Sequence, residues 1–321
     1  MKQLGKYRIA SSATALAIAL SACGGGGGGV ASIPPPPIAP VPTPTPSPSP
    51  APTPSPAHFP SIIAAAATTQ IFSTKGASYT SPQVSGSVLA VSNPSLADSA
   101  QMNVRYNAAS ASYEIQLPAN VAWQPLVATA SYPPPNDHLF LYRAPDTTGV
   151  FDHRSNLQYS ALLEWFNDTT SGYSAIGIAT PAGNIPITGS ASYVGSILGA
   201  SSESHFNHFD ALFESDIIGG PINLSFNFAA GTLSGRIDPT LTVEGAVTAL
   251  PSLSFTNTVF SSGSTVFSGA FSTSLPGQNS FSGLFTGPNA EEVIGNFAFP
   301  YTSPVNGTSQ QGAGAFAGRK P

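Results

Sequence analysis

The chain has 321 residues, only 8% of them charged, with 31 glycines, 32 prolines and a single cysteine. One cysteine excludes an intramolecular disulfide and any cysteine-based metal cluster. Ten Lys and Arg stand against 15 Asp and Glu, and three of those ten (Lys2, Lys6, Arg8) fall in the first eight residues, so the basic patch that nucleic-acid binding requires is lacking.

The first elements are a basic n-region, Lys2 to Arg8, and a short apolar stretch from Ile9 to Leu20. The stretch is too short for a permanent membrane helix and has the form of a secretory signal over residues 1–22. Leu20, Ser21, Ala22 and Cys23 follow, an apolar residue, two small ones and a cysteine. This resembles the lipobox of bacterial lipoproteins, which implies lipidation of Cys23 and a firm anchor from several acyl chains, palmitate among them. Position 24 is Gly rather than Asp. By resemblance to the bacterial sorting rule, that implies the outer membrane.

Residues 23–60 read as anchor and linker. Gly24 to Gly29 form a flexible swivel, and residues 34–60 contain 14 prolines. Such a composition cannot bury enough apolar surface to fold and is expected to be disordered, sampling polyproline II. At about 3.1 Å per residue it reaches up to roughly 80 Å.

Residues 61–155 are expected to form a small antiparallel sheet without a deep core, since proline breaks the segment repeatedly. Met102 to Leu117 carries two alternating runs around Asn107-Ala108-Ala109-Ser110, a hairpin signal. Val84–Val91 and His138–Arg143 read as short strands. Residues 156–321 alternate more strictly. Leu157, Tyr159, Ala161, Leu163 and Trp165 share a face, as do Ile222, Leu224, Phe226 and Phe228. Phe267, Gly269, Phe271 and Phe281, Gly283, Phe285 repeat the theme, followed by Val293, Gly295, Phe297, Phe299 and Gly314, Phe316, Gly318. About eight or nine strands with one apolar face imply a closed β-barrel. Closure removes sheet edges, strand glycines allow coiling, and the aromatics fill the interior. A membrane-spanning barrel is the rival, and it needs an apolar exterior. One segment departs from the period of two. Glu203 to Asp216 places Phe206, Phe209, Leu212 and Phe213 at helical spacing, which predicts a short helix. On it His205 and His208 stand at i, i+3 beside phenylalanines, a candidate pair for haem iron or another transition metal.

Glu291 and Glu292 adjoin in a chain poor in charge. Neighbouring strand residues point to opposite faces, so the two carboxylates do not converge on one substrate atom. With Pro288 and Asn289 before them they read as hairpin punctuation, at least one carboxylate accepting from turn amides. No nucleophile elbow, zincin helix or phosphate-binding loop occurs, so neither an enzyme nor a bound cofactor or metal is expected.

"GLFTGPNAEEVIGNFAF" from Gly283 and "GAGAFAGRK" from Gly312 resemble the C-terminal end of the transferrin-binding protein B-like surface lipoproteins. The family-motif positions are Gly287, Pro288, Asn289, Ala290, Glu291, Glu292, Gly295, Phe316 and Gly318. Pro186 to Gly199 resembles the family's third barrel strand, and Ile222 to Ile237 its fourth and fifth. The resemblance spans roughly residues 84–321. It implies an all-β architecture, a handle over 61–155 followed by an eight-stranded antiparallel barrel over 156–321, on the surface of a Gram-negative outer membrane. It also implies export by an outer-membrane translocator, a partner transporter, and an extracellular protein or small ligand, in iron, haem or nutrient acquisition. A structural or adhesive envelope lipoprotein and a haem-binding lipoprotein using His205 and His208 are the alternatives.

Overall fold

A computed structural model describes residues 69–80, 83–84, 87–88, 92–98, 102–117, 122–131, 139–145, 148–153, 156–167, 170–207 and 212–321. The lipobox, Cys23, the linker and His208 lie outside these residues. The described chain is all β, apart from one 3-10 turn at Ala182–Asn184.

Ten strands form the first sheet. Gln70–Ile71 (β1) and Ser73–Thr80 (β2) come first; Gln83–Val84 (β3) and Ser87–Val88 (β4) pair separately. Ser95–Asp98 (β5), Asn103–Asn107 (β6), Ser112–Gln116 (β7), Gln124–Ser131 (β8), Leu139–Arg143 (β9), Gly149–His153 (β10), Ser160–Phe166 (β11) and Thr170–Gly177 (β12) complete it. The order is β1-β6-β7-β8-β9-β10-β11-β12-β2-β5, antiparallel throughout. Only Phe72 separates β1 at one end from β2 near the other, so the sheet must curl until its ends approach. The predicted hairpin is β6–β7, closing with Asn107 opposite Ser112.

The sequence reading starts the barrel at residue 156 and leaves the first sheet shallow. Instead β11 and β12 belong to the first sheet and give it a substantial core. Trp165, Leu163, Val104, Ile115 and Val150 are buried together, and Trp165 Nε1 donates to Ser174 Oγ at 3.2 Å. Alternation marks Leu157 to Trp165 as a strand, but it does not choose between two sheets that both offer an apolar face.

The barrel follows. Its strands are Ser190–Asn207 (β13), Leu212–Asn227 (β14), Thr232–Ile237 (β15), Leu253–Val259 (β18), Val266–Phe271 (β19), Ser280–Thr286 (β20), Glu292–Thr302 (β21) and Ser309–Arg319 (β22). A side hairpin, Thr240–Val243 (β16) and Ala246–Ala249 (β17), attaches to β14. The ladder runs β13-β14-β15-β18-β19-β20-β21-β22, and β22 returns to β13, closing eight antiparallel strands. Pro186 to Gly199 therefore leads into the first barrel strand rather than the third, and Ile222 to Ile237 supplies the second and third.

Among the described residues of 203–216 the expected helix is absent. Glu203 to Asn207 extends β13 and Leu212 to Asp216 begins β14, with Phe206 opposite Phe213. A ladder already running from Ser190 is lengthened one pair at a time, whereas a short separate helix would need its own nucleus.

Barrel glycines sit where aromatic rings need room. Gly295 is paired with Phe316 and Gly283 with Phe267. A Cβ on Gly295 would lie 2.1 Å from the Phe316 ring, and one on Gly283 2.4 Å from that of Phe267. Each ring covers the bare backbone of its glycine partner and fills the interior. On β22, Gly314, Phe316 and Gly318 face inward, while Ala313, Ala315 and Ala317 face the first sheet. There they pack with Ala77, Leu157, Leu162 and Ala175. Burial on both faces explains why β22 carries no polar alternation.

Candidate functional site

The hairpin loop between β20 and β21 joins the sheet to the barrel. Thr286 pairs with Glu292, and Gly287 to Glu291 close the turn. Gly287 adopts φ 85° and Ala290 φ 57°, left-handed conformations that the first tolerates freely and the second as a small residue. Nearly every polar group of the turn is used. Gly287 N–H donates to Ile178 O at 2.9 Å, and Thr180 Oγ1 donates to Gly287 O at 2.7 Å. Asn184 Nδ2 donates to Pro288 O at 2.8 Å, and Tyr193 OH donates to Ala290 O at 2.7 Å. The Tyr159 ring fills the space a Gly287 side chain would need.

The two glutamates separate at once. Glu291 folds back over its own turn, accepting from Asn289 N–H at 2.7 Å and Asn289 Nδ2 at 3.0 Å. Glu292 is buried and crosses to the first sheet, accepting from the N–H groups of Gln158 and Tyr159, the latter at 3.0 Å. Next to it Ser160 Oγ and Thr286 Oγ1 share a 2.7 Å hydrogen bond. The charged-group energetics differ in sign. Burial pushes the Glu292 carboxyl up, and the Gln158 and Tyr159 amides, Ser160 and Arg319 do not offset it. Burial also acts on Glu291, but the Asn289 groups, its own backbone N–H and Lys320 hold it below the usual range. The pair acts as a clasp, with no shared substrate position. Its partners Gln158, Tyr159, Thr180, Asn184 and Tyr193 stand 97 to 134 residues away in sequence, so no local spacing announces them.

The barrel interior is a packed aromatic core. Phe226 contacts Phe285, Phe267 and Phe260 at ring separations of 4.8, 5.0 and 5.1 Å. A ligand cannot enter without displacing these rings. Among the described residues the outer wall carries Ser192, Asn223 and Ser225 together with exposed Val194, Ile217, Val259 and Val266, and part of it is covered by the first sheet. An open groove of about 400 Å³ runs over the outer wall of β13, β14, β15 and β18, with Ser192, Asn223, Ser225, Arg236 and Ser254 along it. Arg236 Nε lies 3.2 Å from Asp238 Oδ2. The groove offers hydroxyl and amide groups and one guanidinium beside the apolar side chain of Val194.

His205 stands on β13 opposite Glu214. His208 lies outside the described residues. Among the described residues no group of three or more His, Cys, Asp and Glu could hold a metal ion.

A curled sheet clasped to a closed, aromatic-filled barrel by a Gly-Pro loop defines a handle-and-barrel lobe. Residues 185–320 match the family described as the C-lobe and N-lobe beta barrels of Tf-binding protein B, so the barrel domain is transferrin-binding protein B-like. No curated protein matches the chain in sequence. Among solved structures, a transferrin-binding protein B point mutant from Haemophilus parasuis Hp5 is 17% identical with a TM-score of 0.43, over 77% of this chain and 44% of that one. Isotype 1 transferrin-binding protein B from serogroup B Neisseria meningitidis is 14% identical with a TM-score of 0.38, over 78% and 44%. A surface lipoprotein is 11% identical with a TM-score of 0.38, over 77% and 98%. The chain thus spans less than half the length of the two transferrin-binding proteins.

Proposed function

We propose that this protein is a lipoprotein anchored at Cys23 in the outer membrane, whose handle-and-barrel lobe is held outside the cell to bind an extracellular protein in iron or nutrient acquisition. It acts as a binding protein and not as an enzyme. The observation that carries the reading is the match of residues 185–320 to the barrels of a transferrin-binding protein. The signal, lipobox and proline-rich linker of the sequence support it, because they supply an anchor and a reach of tens of ångströms. The filled interior directs binding to the outer wall and the strand-connecting loops, where scaffolds of this kind vary their partners. Export by a translocator and a partner transporter belong to the same reading.

Protease treatment of intact cells tests it. Release of the barrel from whole cells, lost in Cys23→Ala, is the expected result. A barrel protected until the outer membrane is broken would overturn the surface reading. It would leave a periplasmic structural lipoprotein instead.

A further inference from the structure

The far end of the barrel, opposite the Gly-Pro clasp, carries a second polar cluster. Ala200 pairs with Ile217 and Ser204 with Ser215, so Ser201, Ser202 and Glu203 bulge against the single residue Asp216. The β13–β22 ladder ends at the same place, with Ser201 opposite Gly312. Bulges of this sort re-aim side chains, often beside a site. Here they turn oxygen atoms into the end of the core. Ser201, Glu203, Asp216, Tyr301 and Ser303 are all buried, Asp216 to 1% exposure and Glu203 to 8%.

The Glu203 carboxylate is held on one side only. Its Oε1 accepts from Ser303 Oγ at 2.9 Å and from Asn306 Nδ2 at 2.8 Å. Its Oε2 is buried and has no hydrogen-bond partner. Ser201 Oγ and Tyr301 OH share a 2.5 Å hydrogen bond, and Glu203 N–H donates to Ser201 Oγ at 2.8 Å. Among the described residues no ion pair reaches Glu203. A buried carboxylate oxygen without a donor is expensive unless a cation or a proton meets it. Burial pushes the Tyr301 phenol up against the Ser201 hydrogen bond, with the charges of Glu203 and Asp216 adding to the rise.

We propose that this cluster is a site for a hard divalent cation, Ca²⁺, bound by Glu203 Oε2 and the Asp216 carboxylate, with the hydroxyls of Ser201 and Tyr301 as neutral neighbours. The donor set is all oxygen, which selects Ca²⁺ over metals that prefer nitrogen or sulfur. An irregular set of two carboxylates and hydroxyls suits the variable coordination of Ca²⁺ better than the strict octahedron of Mg²⁺. Bound there, the ion would fix the bulge and with it the root of the β13–β14 hairpin.

The test uses the full chain in detergent, stripped with EDTA and titrated with CaCl₂ to ~10 mM, a range that covers weak extracellular Ca²⁺ modules. Tm is expected to rise by several degrees and to saturate, as for a ligand that binds only the folded state. Tb³⁺ is expected to give tyrosine-sensitised emission that Ca²⁺ displaces. Glu203→Gln and Asp216→Asn should each abolish both responses while remaining folded without metal. A Tm insensitive to Ca²⁺ in the unaltered chain overturns the proposal, whatever the variants do. So does a Tb³⁺ signal that survives both substitutions. Stabilisation by acid that Glu203→Gln removes, with no Ca²⁺ response, would assign the free oxygen to a proton and likewise overturn it.

Discussion

The first sheet and the barrel are built from the same antiparallel, alternating strands, yet they solve the burial problem differently. The barrel closes on itself, pairs each of its eight strands on both sides, and fills its inside with phenylalanine. The first sheet stays open, with β1 and β5 at its edges. Its inner face has a core around Trp165, but Ala77, Leu157, Leu162 and Ala175 on the other side are covered by the barrel wall. Closure makes a body that carries its own core. An open sheet with two apolar faces depends on a neighbour.

Separating the two is expected to have the largest effect. Residues 185–321 alone are expected to unfold cooperatively in denaturant, whereas residues 61–184 alone should bind a hydrophobic dye and lack a sharp transition. A folded, monomeric 61–184 fragment would show that the sheet needs no cover. Next in size is Phe226→Ala, which empties the centre of the aromatic cluster and should cost about 3–5 kcal/mol in equilibrium unfolding. A loss below 1 kcal/mol would mean that the ring cluster is not the barrel's core.

Gly295→Ala sharpens the role of bare backbone. Its methyl would strike both the Phe316 ring and Ser282 O, at 2.1 and 2.3 Å. A loss of about 1–3 kcal/mol is expected from such overpacking. Gly183→Ala, in the 3-10 turn, where an added Cβ would meet no atom within 4 Å, should leave the denaturation midpoint unchanged. Equal effects at the two positions would remove the packing explanation.

The smallest effect reads the clasp through pH. Glu292 is raised in the folded state, so its contribution is complete below the ordinary glutamate value and is lost as pH rises through its folded value. Glu291 is lowered, so its contribution is present above the ordinary value and is lost as pH falls through its folded value. In Tm measured against pH, Glu291→Gln should flatten the acid limb. Glu292→Gln should remove the decline just above the ordinary glutamate value while lowering stability overall, since the Gln158 and Tyr159 amides lose a charged acceptor. Identical profiles for the two variants would contradict the opposite placement of the carboxylates.

Strand identity was legible wherever apolar residues alternated, as in Ile222 to Phe228 and Val293 to Phe299, because a side-chain period of two is a local property. Two segments lack such a local determinant. Leu157 to Trp165 alternates as well as any barrel strand, and its partners Thr170–Gly177 and Gly149–His153 decide its sheet. Phe206, Phe209, Leu212 and Phe213 have helical spacing, but the ladder that reaches them from Ser190 continues through Asn207 and resumes at Leu212.

The sequence by itself determined an all-β chain, a closed barrel with aromatics and glycines on its inner face, and a Gly-Pro turn that sends two glutamates apart. These follow from periodicity, backbone freedom and the geometry of adjacent residues. Pairing between distant segments sets Glu292 against the backbone at Gln158 and Tyr159, seats the first sheet on the alanines of β22, and places Asp216 opposite the bulge that holds Glu203. Each of those depends on segments distant in the chain, or on a slip in strand register, and pairing of that kind is fixed by the free energy of the whole assembly rather than by any short stretch of residues.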